Sequence, residues 1–247
     1  MSTAHIMSLL ATRPSRVVRP RDLKETYVNP AAELARLEER GLVRHLAHGY
    51  YAVVPSEWIG SPSWRPSIEA VALGLGAVDY GADRVALMGP SAARLHGALP
   101  RAVALGVVAV PKQRPRLVTR FGDIVFHKRR VDLLDLERVD IQLVAGYLTT
   151  VEQTILDLTR WSCWGMTSDT IDEAIRAMSR RADWQIVREL AVRQRRPAAY
   201  ERAESLAGRV PGEDPGRPGR TQSPERSDAP HPVQDPARRP SATGGPC

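Results

Sequence analysis

The chain of 247 residues has room for a small domain, a medium-sized domain and a tail, and its hydrophobic fraction of 43% allows a sizeable core. Its formal charge of +7 and sequence pI near 9.9 favour an anionic partner. The two cysteines, Cys163 and Cys247, are too few for a disulfide framework or a cysteine-built metal site, so a reducing cytosol fits. No run resembles a signal peptide or is apolar over the length of a bilayer, so we expect a cytoplasmic protein without a membrane partner.

The N-terminal region has the pattern of a helix-turn-helix. Residues 4–12 and 20–24 are predicted to be helical, and a turn over residues 26–29 precedes a further helix. Asn29 is a suitable N-cap, and Pro30 suits the first helical position, where its missing N–H costs nothing. The further helix is therefore predicted to begin at Pro30.

This helix is predicted to have one buried and one exposed side, and to end at a glycine that can adopt a left-handed conformation. The side expected to pack inward consists of Ala31, Leu34, Leu37 and Gly41. The opposite side presents Ala32, Arg36, Glu39 and Arg40 to solvent. Two short β runs follow, around a glycine-containing turn, and they indicate a hairpin over residues 42–46 and 50–54.

The stretch RDL…LARLEERGLVRHLAHGYYAV resembles the N-terminal winged helix of the AbiEi-type antitoxins from type IV toxin–antitoxin operons. The resemblance implies a DNA-binding domain in which the hairpin is the wing. Candidate DNA-binding residues lie at the entry to the helix pair, on the exposed side of the second helix and on the wing: Arg19, Arg21, Asn29, Ala32, Arg36, Glu39, Arg40, Arg44, His45 and His48. The charge balance of residues 1–60, eight basic against six acidic, leaves a protein-binding or purely structural module as an alternative.

A second domain is predicted after a segment rich in tryptophan and proline. Residues 57–66 indicate a linker that its prolines hold extended and whose tryptophans dock onto a neighbour. Ser67 is expected to cap a buried helix over residues 68–78. After it we expect a short strand from residue 86, a helix over 91–96, a buried strand over 103–110 and strands over 116–120, 123–128 and 140–144.

The succession GPSAARLHGALP, VVAVP, IVFHKRR and YLTTVEQTILDLTRW resembles the α/β domain that follows the winged helix in AbiEi-type antitoxins. Together the two resemblances cover roughly residues 1–160. They imply a protein that binds double-stranded DNA of its own promoter region and represses its operon. They also imply that it counteracts a nucleotidyltransferase-like toxin, directly or indirectly.

The C-terminal part is predicted to be helical up to a disordered tail. Amphipathic spacing indicates helices over 150–161, 168–180, 183–195 and 197–206, the first capped by Thr149 or Thr150. Nine of the chain's 20 prolines and almost no large apolar residue lie beyond residue 207, so no core can form there. The predicted fold is α+β, comprising a winged helix-turn-helix domain (1–56), the linker (57–66), a mixed α/β antitoxin-type domain with a C-terminal helical part (67–207) and a disordered Pro/Arg-rich tail (208–247).

Two stretches of this second domain are basic. Residues 112–130 hold seven basic residues and one acid, and residues 176–202 hold eight basic residues and three acids. Either they extend a DNA footprint, since each neutralised phosphate adds salt-dependent affinity, or they are solvated faces balanced by the acidic segment between them, which is the commoner case. The second-rank DNA candidates are Arg114, Arg116, Arg129 and Arg130.

Patterns for catalysis and metal binding are missing from the sequence. A nucleotidyltransferase needs a Gly-Ser turn with two metal-binding carboxylates downstream, whereas no acid follows Ser91 until Asp123. The histidines lack the spacing of zinc ligands. We therefore expect no enzyme, no metal and no cofactor. Two alternatives stay open: a nuclease whose metal ligands, such as Asp123 or Asp140, are hidden in the α/β domain, and a partner-binding protein without DNA activity.

Overall fold

A computed structural model describes residues 15–99, 104–160 and 166–208 of the chain. Within these residues the fold contains seven α-helices and two β-sheets, which confirms the predicted α+β class. The helix predicted over residues 4–12 and the tail predicted beyond residue 208 lie outside the described residues.

The N-terminal part is a three-stranded antiparallel sheet that carries one helix. Its elements in chain order are β1 (Val17–Val18), a 3₁₀ turn (Pro20–Leu23), α1 (Pro30–Glu39), β2 (Val43–Ala47) and β3 (Tyr50–Val53). The strands lie in the order β1-β3-β2, so the hairpin predicted as the wing gains a third strand that the sequence pattern did not indicate. The helix predicted over residues 20–24 is instead a 3₁₀ turn of four residues, whereas the helix and the hairpin predicted after it are present.

Local chemistry explains where α1 begins and which side it buries. The Oδ1 atom of Asn29 accepts a hydrogen bond from the backbone N–H of Ala32 at 3.3 Å, which confirms the predicted N-cap. Leu34 and Leu37 are completely buried, as their spacing predicts. Ala31 is exposed, so the inward stripe is narrower than predicted.

The turns of this region use glycines in left-handed conformations. Gly41, which follows α1, has φ of +69°, and Gly49, at the tip of the hairpin, has φ of +77°. A β-bulge between His45 and Ala47 shifts the register of the hairpin just before its tip.

The second sheet has six strands, and it holds the larger core. Their bounds are β4 (Ala86–Leu87), β5 (Leu105–Val110), β6 (Leu117–Thr119), β7 (Gly122–Lys128), β8 (Leu136–Ile141) and β9 (Val144–Thr149). They lie in the order β6-β7-β5-β4-β9-β8, in which only the β5–β7 and β4–β9 pairs are parallel. The single strand predicted over residues 140–144 is wrong, because a hairpin of β8 and β9 turns there. Glu137, Arg138 and Asp140 on the edge strand β8 obscure its apolar pattern.

Helices cover both faces of this sheet. They are α2 (Ile68–Tyr80), α3 (Gly89–Leu95), α4 (Val151–Arg160), α5 (Ser168–Ser179), α6 (Trp184–Arg193) and α7 (Pro197–Leu206). Alternate residues of β5 point to opposite faces: Val108 and Val110 join the core around α2, whereas Val107 and Ala109 join the core of the other helices. The sheet is therefore a middle layer between α2 and the C-terminal helices.

The segment predicted as an extended linker over residues 57–66 is instead folded onto the protein. It opens with a 3₁₀ turn (Ser56–Trp58), and Trp64 is only 4% exposed within the core. The prediction that the tryptophans dock is confirmed for Trp64 and is wrong for Trp58, which is exposed. The prolines therefore do not hold the whole segment extended.

The N-terminal sheet with α1 (residues 15–56, the winged part) and the six-stranded sheet with its helices (residues 67–208, the α/β part) share one hydrophobic core. Val17 of β1, Leu46 of β2 and Val54 belong to the same buried cluster as the residues of α2. A Cβ atom added to Gly74 of α2 would lie 2.6 Å from Cγ2 of Val17, so the two parts are in direct contact. The winged part is consequently held in a fixed orientation on the α/β part.

Candidate nucleic-acid interface

The exposed side of α1 is accessible to a large ligand. Ala32, Arg36, Glu39 and Arg40 are all exposed, as predicted, and none is covered by the α/β part. The Arg36 side chain is 73% exposed and forms an ion pair with Glu33 at 3.4 Å, one turn earlier. An exposed pair of this kind stabilises the fold little, so the guanidinium can exchange its partner at small cost.

The N-terminus of α1 is open to solvent. Val28, immediately before the cap, is fully exposed, and so are Asn29 and the first alanines of the helix. Asn29, predicted as a DNA-binding residue, uses its side-chain oxygen to cap the helix and so fixes the helix start. Because Pro30 has no N–H and the N–H groups of Ala32 and Glu33 are bound by Asn29, this helix start leaves few backbone donors for an anion.

The wing offers fewer free side chains than the sequence predicts. His48 is exposed at the hairpin tip, but His45 packs its ring edge-on against Tyr51, with ring centroids 5.1 Å apart. Arg44 is half-buried and donates from Nη2 to the backbone oxygen of Ser61 at 3.5 Å. His45 and Arg44 thus brace the hairpin, and His48 is the wing residue best placed for a DNA contact.

Arg19, which precedes the first helical turn, is a first correction among the predicted DNA-binding residues. Arg19 was predicted to meet phosphate, but its guanidinium is only 15% exposed and forms ion pairs with Asp22 at 2.8 Å and Asp79 at 2.6 Å. Neighbouring Arg21 lies 3.2 Å from Asp79 and is 61% exposed, so it keeps a face for an external anion. The aspartates are the reason that Arg19 is unsuitable.

Asp79, at the C-terminal end of α2, is the centre of a polar network that joins the two parts of the protein. Its carboxylate accepts hydrogen bonds from Arg19 and Arg21, from the hydroxyl of Tyr50 at 2.7 Å, and from Arg114. Burial, and then the hydrogen bond to Asp79, raise the pKa of Tyr50 above its ordinary value, so the hydroxyl stays a donor. The network fastens β3 and the first helical turn to the α/β part.

Arg114 is a second correction among the predicted DNA-binding residues. Besides its ion pair with Asp79, its guanidinium stacks on the ring of Phe126, with 4.1 Å to the ring centroid. Its guanidinium therefore uses both its charge and its planar surface for contacts inside the protein. It acts as a structural brace rather than as a phosphate contact.

The hairpin of β6 and β7 lies beside α1. Arg120 at its turn forms an ion pair with Glu38 of α1 at 3.1 Å, and Glu38 also accepts the backbone N–H of His45 at 2.9 Å. Arg116 is exposed and pairs with Asp123 across the hairpin. Arg120 is thus a residue of the interface that the sequence analysis missed, since its partner is distant in sequence and nothing local indicates it.

Arg129 is a third correction among the predicted DNA-binding residues, whereas Arg130 remains a candidate. Arg129 is 11% exposed and pairs at 3.0 Å with Asp157, which is fully buried, so duplex DNA cannot reach it. Arg130 is largely exposed and forms a surface pair with Asp132 at 2.7 Å. The hydrogen bond that Arg130 donates to Asp132 raises the pKa of Arg130 above its ordinary value, so Arg130 stays a cation.

The carboxylates considered for a hidden metal site are dispersed. Within residues 15–99, 104–160 and 166–208 no group of three or more histidine, cysteine, aspartate or glutamate side chains lies close enough to hold a metal ion. Asp123 is engaged by Arg116, and Asp140 lies exposed on the edge strand β8. Over the same residues, no helix combines the length and apolar character needed to cross a membrane.

Comparison with known proteins shows a likeness of fold. No protein-family model matches the sequence, and no curated protein matches it. Among solved structures, the chain is similar to that of the Rv2827c protein from Mycobacterium tuberculosis, with a TM-score of 0.56 and 19% sequence identity. The likeness covers 83% of this chain and 75% of that one. At this level of identity, it shows a shared fold.

Proposed function

We propose that the protein binds double-stranded DNA sequence-specifically through α1 and the wing, and represses its own promoter. The observation that supports this proposal is the exposed outer side of α1: Arg36 and its neighbours are exposed, while the opposite side is anchored by Leu34 and Leu37. An α-helix with one exposed side fits the major groove of B-form DNA.

The side chains on this surface have suitable chemistry for base and phosphate contacts. Arg36 would donate two hydrogen bonds to a guanine, and the carboxylate of Glu39 would accept one from the N4 amino group of a cytosine. Arg21 and His48 are exposed on the elements that flank α1 in the chain and would contact phosphates, which fix the register of the helix on the duplex. The acids of α1 are partly compensated, since Glu33 pairs with Arg36 and Glu38 pairs with Arg120.

The rigid support behind the surface favours the same proposal. The shared core and the Asp79 network hold the winged part in one orientation, so binding pays little to order the protein. A preorganised surface of this kind favours specificity over loose electrostatic attachment.

The proposed role as an antitoxin depends on the resemblance to AbiEi-type antitoxins. The α/β part would counteract a nucleotidyltransferase-like toxin, either by contact or by acting on the toxin's target. In this proposal the winged part regulates the operon, and the α/β part provides the neutralising activity in the cytoplasm.

Binding to the protein's own upstream region tests the proposal. Fluorescence anisotropy would compare a labelled upstream duplex with a duplex of the same composition in scrambled order, at about 50 and about 200 mM salt. We expect tighter binding to the upstream duplex at both salts, with affinity for both duplexes falling as salt rises. Absence of binding at the lower salt, together with co-purification of the toxin, would replace the proposal by a partner-binding role without DNA.

A further inference from the structure

A pocket of about 480 Å³ lies at one edge of the six-stranded sheet, remote in sequence from the winged part. It is formed where the parallel strands β5 and β7 both end: Pro111 follows the last residue of β5, and Arg129 follows the last residue of β7. Asp83 and Arg84, which precede β4, also line it. The carboxyl ends of parallel strands are the usual position for ligands in α/β sheets, and the volume is within the range of small-molecule sites, about 300–1,000 Å³.

The walls of this pocket carry an excess of positive charge. Its charged lining comprises four cations and two acids: Arg84, Lys128, Arg129, Arg130, Asp83 and Asp132. Asp132 is neutralised by its ion pair with Arg130. Within the described part of the chain, Arg84 and Lys128 form no ion pair, and both are exposed to the pocket. Asp83 offsets one of these two charges, so the exposed part of the lining keeps an unbalanced positive charge.

The residues around buried Asp157, which pairs with Arg129 of the pocket wall, also carry a net positive charge. Asp157 is fully buried, and its Oδ1 atom receives both Arg129 at 3.0 Å and Arg196 at 3.1 Å. One carboxylate thus serves two guanidinium groups, which leaves a net positive charge under the wall. In agreement, burial and then the neighbouring Arg129 lower the pKa of His127.

We infer that this pocket binds a small ligand with two or more phosphate groups, such as inorganic pyrophosphate or a nucleoside diphosphate. Arg84 and Lys128 would hold the phosphates, and Arg130 would join them by exchanging its surface partner Asp132. Pro111 and Val131 supply apolar surface for an organic part of the ligand. This site is separate from the DNA-binding surface, and its existence does not depend on DNA binding.

Calorimetric titration of the full chain with inorganic pyrophosphate, with ADP and with sulfate at equal ionic strength tests the inference. We expect both phosphate compounds to bind more tightly than sulfate. ADP binding tenfold more tightly than pyrophosphate would assign the site to nucleotides, and equal affinities would assign it to free phosphate anions; each result supports the site. No binding of either compound at millimolar concentration would overturn it.

Charge-removing variants locate the binding. The double variant Arg84→Gln with Lys128→Gln should weaken pyrophosphate binding at least tenfold, the scale of a lost charge-assisted hydrogen bond, and should retain its far-ultraviolet circular dichroism because both residues are exposed. Arg188→Gln, an exposed arginine on α6, is the matched control and should bind like the wild type. Equal affinities of the double variant and the control would overturn the assignment. Displacement of pyrophosphate by a scrambled DNA duplex would also overturn it, since the site would then be a contact for the DNA backbone.

Discussion

Replacing Asp79 by asparagine should weaken the connection between the winged part and the α/β part. The substitution keeps the shape of the side chain but removes the charge that serves Arg19, Arg114 and the Tyr50 hydroxyl. The Asp79 side chain is 12% exposed and the two arginines little more, so water cannot fully replace the lost acceptor. Breaking a pair of this kind costs about 3 kcal/mol of unfolding free energy, the lower end of the range for buried pairs.

Urea unfolding measures this cost directly. Tryptophan fluorescence is a suitable probe, because Trp64 is buried in the core that the two parts share. Asp83→Asn is the matched control: this exposed carboxylate lies four residues further on, and its loss should change stability by less than about 0.5 kcal/mol. If both variants unfold with the same free energy, the Asp79 network does not hold the winged part in place.

Two further predictions concern the shared core and the histidine near the pocket. Gly74→Ala should lower the free energy of unfolding by about 1–3 kcal/mol, because its new Cβ would lie 2.6 Å from Val17. Gly76→Ala on the same helix is the control and should be neutral or stabilising, because its new Cβ would lie 3.4 Å from its nearest neighbours. Equal thermal stabilities of the two variants would exclude a tight junction between the winged part and the α/β part. Burial, and then Arg129, lower the pKa of His127 below 6.5 in the folded state. The unfolded chain therefore binds this proton first as pH falls, and the folded state should lose stability below about pH 6.5. His127→Gln should reduce that loss, and a pH profile of urea unfolding identical to that of the wild type would contradict the prediction.

The helix starts of this protein could be predicted because they depend on neighbouring residues. Asn29 and Ser67 cap α1 and α2 by accepting the N–H of the residue three positions on, and Thr150 accepts that of Gln153 in the same way at the start of α4. Capping of this kind is encoded within one turn of chain. The apolar spacing of Leu34 and Leu37 is equally local, and it set the orientation of the exposed side correctly.

The arginines could not be assigned in the same way, because their partners are remote in sequence. Arg19 pairs with nearby Asp22 but also with a residue 60 positions away, while Arg114 pairs with one 35 positions away and Arg129 with one 28 positions away. A count of basic residues indicates an anionic partner but does not reveal which cations are already neutralised inside the fold. For that reason Arg36, Arg21 and Arg130, which stay exposed beside their partners, remain candidates for external contacts. Arg19, Arg114 and Arg129, whose pairs lie within the fold, do not.

The most direct test of the central claim is the effect of Arg36→Ala on DNA binding, measured with the upstream duplex and the scrambled duplex in parallel. Arg188→Ala on α6 is the matched control. We predict that Arg36→Ala weakens binding to the upstream duplex by about 1–3 kcal/mol and leaves binding to the scrambled duplex almost unchanged, because the residue would contact a base rather than a phosphate. An equal loss on both duplexes, or no loss on either, would contradict the assignment of the exposed side of α1 as the surface that recognises DNA sequence.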